Sequence, residues 1–117
     1  MVVCGHTSCG GVNAALGNAK LGLIDAWLMP LRALRRENVG RWKELSEGER
    51  ALKLVEANVR QGVKALRENA VVIEGMRERG VVVHGLVHDV GTGLLRELEI
   101  EEGKEEGEMR VEAFNTS

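Results

Sequence analysis

Leu52, Val55, Val59, Val63 and Leu66 recur at intervals of three and four residues. That spacing winds them onto one stripe of a helix and predicts a buried face. Just ahead lies Ser46-Glu47-Gly48-Glu49, a serine with a glutamate three residues on, which is the signature of a capped helix start. At the front of the chain, Val2-Val3-Cys4-Gly5 is a short β-like run. A glycine-rich turn, His6 to Gly11, follows it, and then a helix-forming stretch from Val12 to Lys20. Strand, loop and helix in that order open an α/β unit. Leu23 to Arg36 predicts a second helix, with Pro30 inside it marking a kink or a break. Val71 to Arg79 predicts a short helix ended by Gly80. The continuous apolar character of Val81 to Val87 suits a strand buried on both faces, as in a parallel sheet. Asp89 to Gly93 is a turn, and the alternation from Leu94 to Ile100 suits an edge strand. Seven glutamates between Glu97 and Glu108 predict a solvated loop. Met109 to Phe114 is read as a last strand or an ordered tail. Two or three strands are few for a sheet with helices around it, so a partner chain or residues upstream are expected to complete it.

Composition narrows the function classes. The 117 residues are read as one domain, and 44% are hydrophobic, enough for a core. Sixteen basic and 18 acidic residues give a net charge of −2, which argues against nucleic-acid or membrane-surface binding driven by charge. No apolar run approaches the roughly 20 residues of a membrane span. The first residues show no basic or apolar leader, so the expected compartment is cytoplasmic. Two cysteines make no disulfide framework. Trp27, Trp42 and Phe114 are too few aromatics for a base-stacking platform.

The chemistry concentrates in the first turn. His6 and Cys9 form an H-x-x-C pair at the C-terminal end of a strand, where open α/β sheets place their ligand sites. Imidazole nitrogen and thiolate sulfur are both zinc ligands, and a two-residue gap in a turn lets both point at one ion. The backbone N–H groups of Gly10 and Gly11 could face an anion beside it. The bland alternatives are a histidine satisfied by the loop, an inert half-buried cysteine and glycines that serve a tight turn. A phosphatase-type nucleophile loop fails, because the position six beyond Cys9 is Ala15 and six beyond Cys4 is Gly10. Cys4 and Cys9 are not a C-x-x-C redox pair either. A thiol hydrolase built on Cys9 and His6 is a remote third option.

The stretch from Val2 to Val12 resembles the zinc-loop motif of the β-class carbonic anhydrases. Trp27-Leu28 with Pro30 resembles the helix after that loop, Asn58-Val59 resembles an N-V signature, and Val83 to Leu94 resembles the late strand-and-turn motif. The resemblance implies an α/β fold, here a partial parallel sheet with flanking helices and an edge hairpin, lacking the first strands. It reads 1–117 as a single truncated domain. It implies a Zn(2+)-dependent lyase that interconverts carbon dioxide and bicarbonate, with His6 and Cys9 as metal ligands and Gly10 or Gly11 as backbone donors to substrate. It further implies a homo-oligomer, or pairing with a longer homologous subunit. The family's C-x-D-x-R motif, which supplies a further cysteine ligand and an Asp–Arg pair, has no counterpart in these residues. Cys4 is expected to pack in the sheet as a small apolar residue rather than replace that ligand. His84 is expected to pack, and His88 and Asp89 to sit in a turn. With two family ligands the zinc would be weakly held, and the expectation for this chain is little or no catalysis. The competing expectation is a catalytically inactive relative that acts through its open sheet edge.

Overall fold

The computed structural model describes residues 1–100, 102 and 104–114. In chain order the elements are β1 (Val2–His6), α1 (Gly10–Leu16), α2 (Leu23–Glu37), α3 (Val39–Trp42), α4 (Glu47–Arg67), α5 (Ala70–Arg79), β2 (His84–His88), β3 (Leu95–Glu97) and α6 (Lys104–Phe114). The strands make a three-stranded sheet in the order β1-β2-β3. β1 and β2 run parallel, with Val2 opposite His84 and His6 opposite His88. Such a pair needs a long crossover, and α1 to α5 supply it. β3 returns antiparallel, with Leu95 opposite His88 and Glu97 opposite Leu86.

α4 is the centre of the packing. Its N-cap is Ser46, whose Oγ accepts from the Glu49 N–H at 3.2 Å and donates to Glu49 Oε1 at 2.9 Å. Leu54, Val55, Val59 and Val63 form its buried stripe. The stripe lies directly on one face of β1 and β2 because glycines leave room for it. A Cβ placed on Gly5 would stand 2.8 Å from a Val59 methyl, and one on Gly85 would stand 2.9 Å from the other. In return, Gly62 of α4 receives a Val3 methyl, 2.9 Å from where its own Cβ would be. α1 and α2 also pack on α4, so Val12, Ala15, Leu28 and Leu31 join Leu54, Val55 and Val87 in the main core. Glu56, only 8% exposed, ties α4 to β3 by accepting from Arg96 Nη2 at 2.9 Å.

The helices therefore stack on one side of the sheet. β1 alternates, with Val3 and Gly5 toward α4 and Val2, Cys4 and His6 exposed. His84, Leu95 and Glu97 are exposed as well. The expectation of a strand buried on both faces is corrected: among the described residues only one face of β2 is covered, and Gly85 and Val87 provide its fully buried positions. The strand is also shorter than the Val81–Val87 run. Val81 instead donates its N–H to Gly75 O at 3.2 Å, closing the end of α5 around Gly80, which sits at φ +66°.

Other expectations shift for physical reasons. α1 stops at Leu16 rather than Lys20: Gly17 leaves the helix at φ −84°, ψ 177°, and Arg35 Nη1 donates to the carbonyls of Ala15 and Gly17, each at 3.2 Å, at that end. α2 runs through Pro30 without a break. Of the glutamate run, residues 98–100 and 102 carry no helix or strand, in keeping with a loop, but from Lys104 the run enters α6, which also takes in Met109 to Phe114 in place of a strand or tail. Arg110 Nε donates to both oxygens of Glu102, at 3.1 and 2.9 Å, which offsets charge that counting glutamates leaves unbalanced. Residues 101 and 103 of that run lie outside the described residues.

Candidate metal centre

β1 ends at His6, and the chain turns into α1 with Cys9 as the N-cap residue. The turn is tight because Ser8 takes a left-handed conformation at φ +54°, a strained choice for a residue other than glycine. Both ends of the turn are anchored. β1 is held in the sheet by β2, and α1 is held at its C-terminus by Arg35.

The His6 ring is exposed, and its Nδ1 lies 2.7 Å from the carbonyl oxygen of Thr7. A carbonyl only accepts, so Nδ1 is the donor there. That leaves the Nε2 lone pair free for a metal, the arrangement in which one ring nitrogen is fixed by backbone and the other coordinates. Cys9 is half-buried, and its side chain makes no capping bond to α1. Gly10 is exposed with open space around its Cα, while Gly11 lies against the Trp27 ring, 3.3 Å from where a Cβ would stand. As the first two residues of α1, both glycines have backbone N–H groups without partners inside the helix. A cleft of about 360 Å³ opens beside Cys9, walled by Val12 of α1 and by Ala51, Leu52 and Val55 of α4.

The pair suits zinc in kind and falls short in number. Nitrogen and sulfur donors are what zinc takes, but a structural or catalytic site needs three or four protein ligands. Among the described residues, no group of three His, Cys, Asp or Glu side chains is placed to hold a metal ion. Cys4, expected to pack in the sheet, is exposed on the bare face, where its thiol donates to Gly5 O at 3.4 Å. His84, expected to pack, is exposed too, and its Nδ1 sits 2.6 Å from Glu97 Oε1. Asp89 turns inward on its own loop, its Oδ1 accepting from the N–H of Gly91 at 2.8 Å. None of them completes the shell.

Thr7 was not singled out by its position in the sequence. Its N–H donates to His88 O at 3.0 Å, and its Oγ1 accepts from the Val90 N–H at 3.0 Å. These two bonds join the first turn to the loop that follows β2. Among the described residues, no helix is long and apolar enough to cross a membrane.

Residues 1–95 match a protein family described as carbonic anhydrase. A carbonic anhydrase of Candida albicans is 37% identical over 103 residues, covering 86% of this chain and 37% of its own length. One from Emericella nidulans is 41% identical over 106 residues, covering 86% of this chain and 45% of its own. The crystal structure of the β-carbonic anhydrase CafA of Aspergillus fumigatus superposes with a TM-score of 0.96 at 50% identity, covering 99% of this chain and 56% of that one. A tetrameric β-carbonic anhydrase of Sordaria macrospora superposes at 0.81 with 36% identity, over 87% of this chain and 53% of that one. The chain thus spans about half the length of these relatives, or less.

Proposed function

The chain belongs to the carbonic anhydrase family, in its β-class, and from that premise we propose that His6 and Cys9 hold a zinc ion for the reversible hydration of carbon dioxide to bicarbonate. The observation that carries the reading is the state of the two side chains. The His6 ring is fixed through Nδ1 with Nε2 free, and the Cys9 thiol is uncommitted at the start of α1. Zinc, when bound, supplies the Lewis acidity that brings the pKa of water to about 7. The chain's own part is positional. The Gly10 and Gly11 N–H groups stand ready to donate to a substrate oxygen, and the apolar wall of Val12, Leu52 and Val55 suits a small uncharged gas. The reading requires further zinc donors from outside the described residues.

One observation favours a second reading. With no third donor among the described residues, the chain can serve as a non-catalytic partner of a longer homologous subunit. Zinc content by mass spectrometry and stopped-flow carbon dioxide hydration separate the two. The enzyme reading expects about one zinc per chain, with zinc and activity lost together in His6→Ala and in Cys9→Ser. A metal-free, inactive chain that co-purifies with a longer homologue supports the second. Activity that survives a strong chelator but ends on thiol alkylation sinks both and leaves a thiol hydrolase.

A further inference from the structure

We infer that Thr7 is the positioning residue of the candidate metal turn: it locks the His6 ring in the tautomer that leaves Nε2 as the coordinating nitrogen. This deepens the metal reading and rests on it for the meaning of Nε2. The backbone and the side chain of Thr7 act together. Its carbonyl oxygen accepts from His6 Nδ1 at 2.7 Å. Its N–H donates to His88 O at 3.0 Å and its Oγ1 accepts from the Val90 N–H at 3.0 Å. The first contact sets the ring, and the other two set Thr7.

The abutment they press on is stiff. In the loop after β2, Asp89 Oδ1 accepts from Gly91 N–H at 2.8 Å and from Thr92 N–H at 3.4 Å. Gly93 N–H donates to Asp89 O at 2.7 Å, and Asp89 N–H donates to Leu94 O at 2.9 Å. Thr7 is thus bonded to a loop that is bonded to itself. On its other side comes Ser8 at φ +54°, a conformation that persists only where neighbours enforce it. Freed of the Val90 bond, the turn can relax, and the Thr7 carbonyl swings from Nδ1. A neutral imidazole without that partner favours hydrogen on Nε2, the nitrogen that a metal needs bare. The hydroxyl is the required feature, since valine has the same shape and cannot accept. Fixing a ligand histidine through its second nitrogen typically changes metal affinity about tenfold to hundredfold.

The test uses the full chain in three forms, wild type, Thr7→Val and Thr7→Ser. Long-range nitrogen–proton NMR of the metal-free proteins at alkaline pH reads the His6 tautomer, and cobalt(II) titration followed by its absorption bands reads the donor set. The wild type and Thr7→Ser should hold hydrogen on Nδ1, and Thr7→Val should move it toward Nε2. Cobalt binding should weaken about tenfold to hundredfold in Thr7→Val and recover in Thr7→Ser. Hydrogen retained on Nδ1 in Thr7→Val overturns the inference. A tautomer shift with no cobalt bound by the wild type keeps the orienting role and sinks the metal reading instead. If Thr7→Val does not fold, Val90→Pro deletes the donor of the same bond at an exposed site, and the same tautomer shift or its absence decides.

Discussion

At position 85 a methyl group has nowhere to go. A Cβ there would stand 2.6 Å from Ile100 Cδ1 and 2.9 Å from Val59 Cγ1, and Val59 is fully buried and stiff at its branched carbon. Gly85→Ala should therefore destabilise the fold by about 1–3 kcal/mol, read from the midpoint of urea denaturation. The site residues divide by how local their cause is. His6 and Cys9 were legible because a two-residue gap after a strand and before a helix is visible in the sequence alone. Thr7 was not, because the partner of its hydroxyl lies 83 positions away and only folding brings Val90 to it. Cys4 and His84 were misread for a related reason. Their period-two positions are plain, but no single strand tells which face of its sheet the helices will cover.

Among the elements, α4 announced itself most clearly. Its apolar stripe and its serine cap agree, and Ser46→Ala should cost about 1 kcal/mol by thermal or chemical melting, since the Glu49 N–H loses its acceptor. The start of α2 is secured differently. Gly22 offers no capping side chain, and Asp25 reaches back to accept from the Leu21 N–H at 2.9 Å and from Arg32 Nη1 at 2.9 Å. The Leu21 bond, joined by the Arg32 guanidinium, holds the Asp25 carboxyl below the usual carboxylate range. A depressed value means stability that is present above the ordinary carboxylate pKa and is lost as pH falls through the lowered one. Asp25→Asn should lower the urea midpoint at neutral pH, with the gap to wild type closing in strong acid. α6 was missed because like charges were counted without their counter-ion. Glutamate is a good helix former, and Arg110, bonded to both oxygens of Glu102, steadies the segment.

As a whole, the molecule is less compact than its length allows. Its radius of gyration is 16.0 Å, where a globular chain of this size has about 13 Å. Leu23, Trp27 and Met29 on α2 are 95, 72 and 60% exposed, and Val2 and Leu95 lie open on the bare sheet face. Exposed apolar surface of this kind marks interaction sites, and a similar solved enzyme is tetrameric. Analytical ultracentrifugation should accordingly show a species heavier than the 12.8 kDa monomer, with its share rising with concentration. A monomer at all concentrations would count against the homo-oligomer that the family resemblance implies. The sheet's other side tells the opposite story. There Gly5, Gly62 and Gly85 accept the methyls of Val55, Val59, Val63 and Val3. These notches work as a keyway: the long helix cannot creep along the strands by even one residue without driving a methyl into backbone. The height at which the first strand delivers its terminal imidazole is thereby set by a row of missing side chains on the far face, so tampering with that row should detune the turn without touching it.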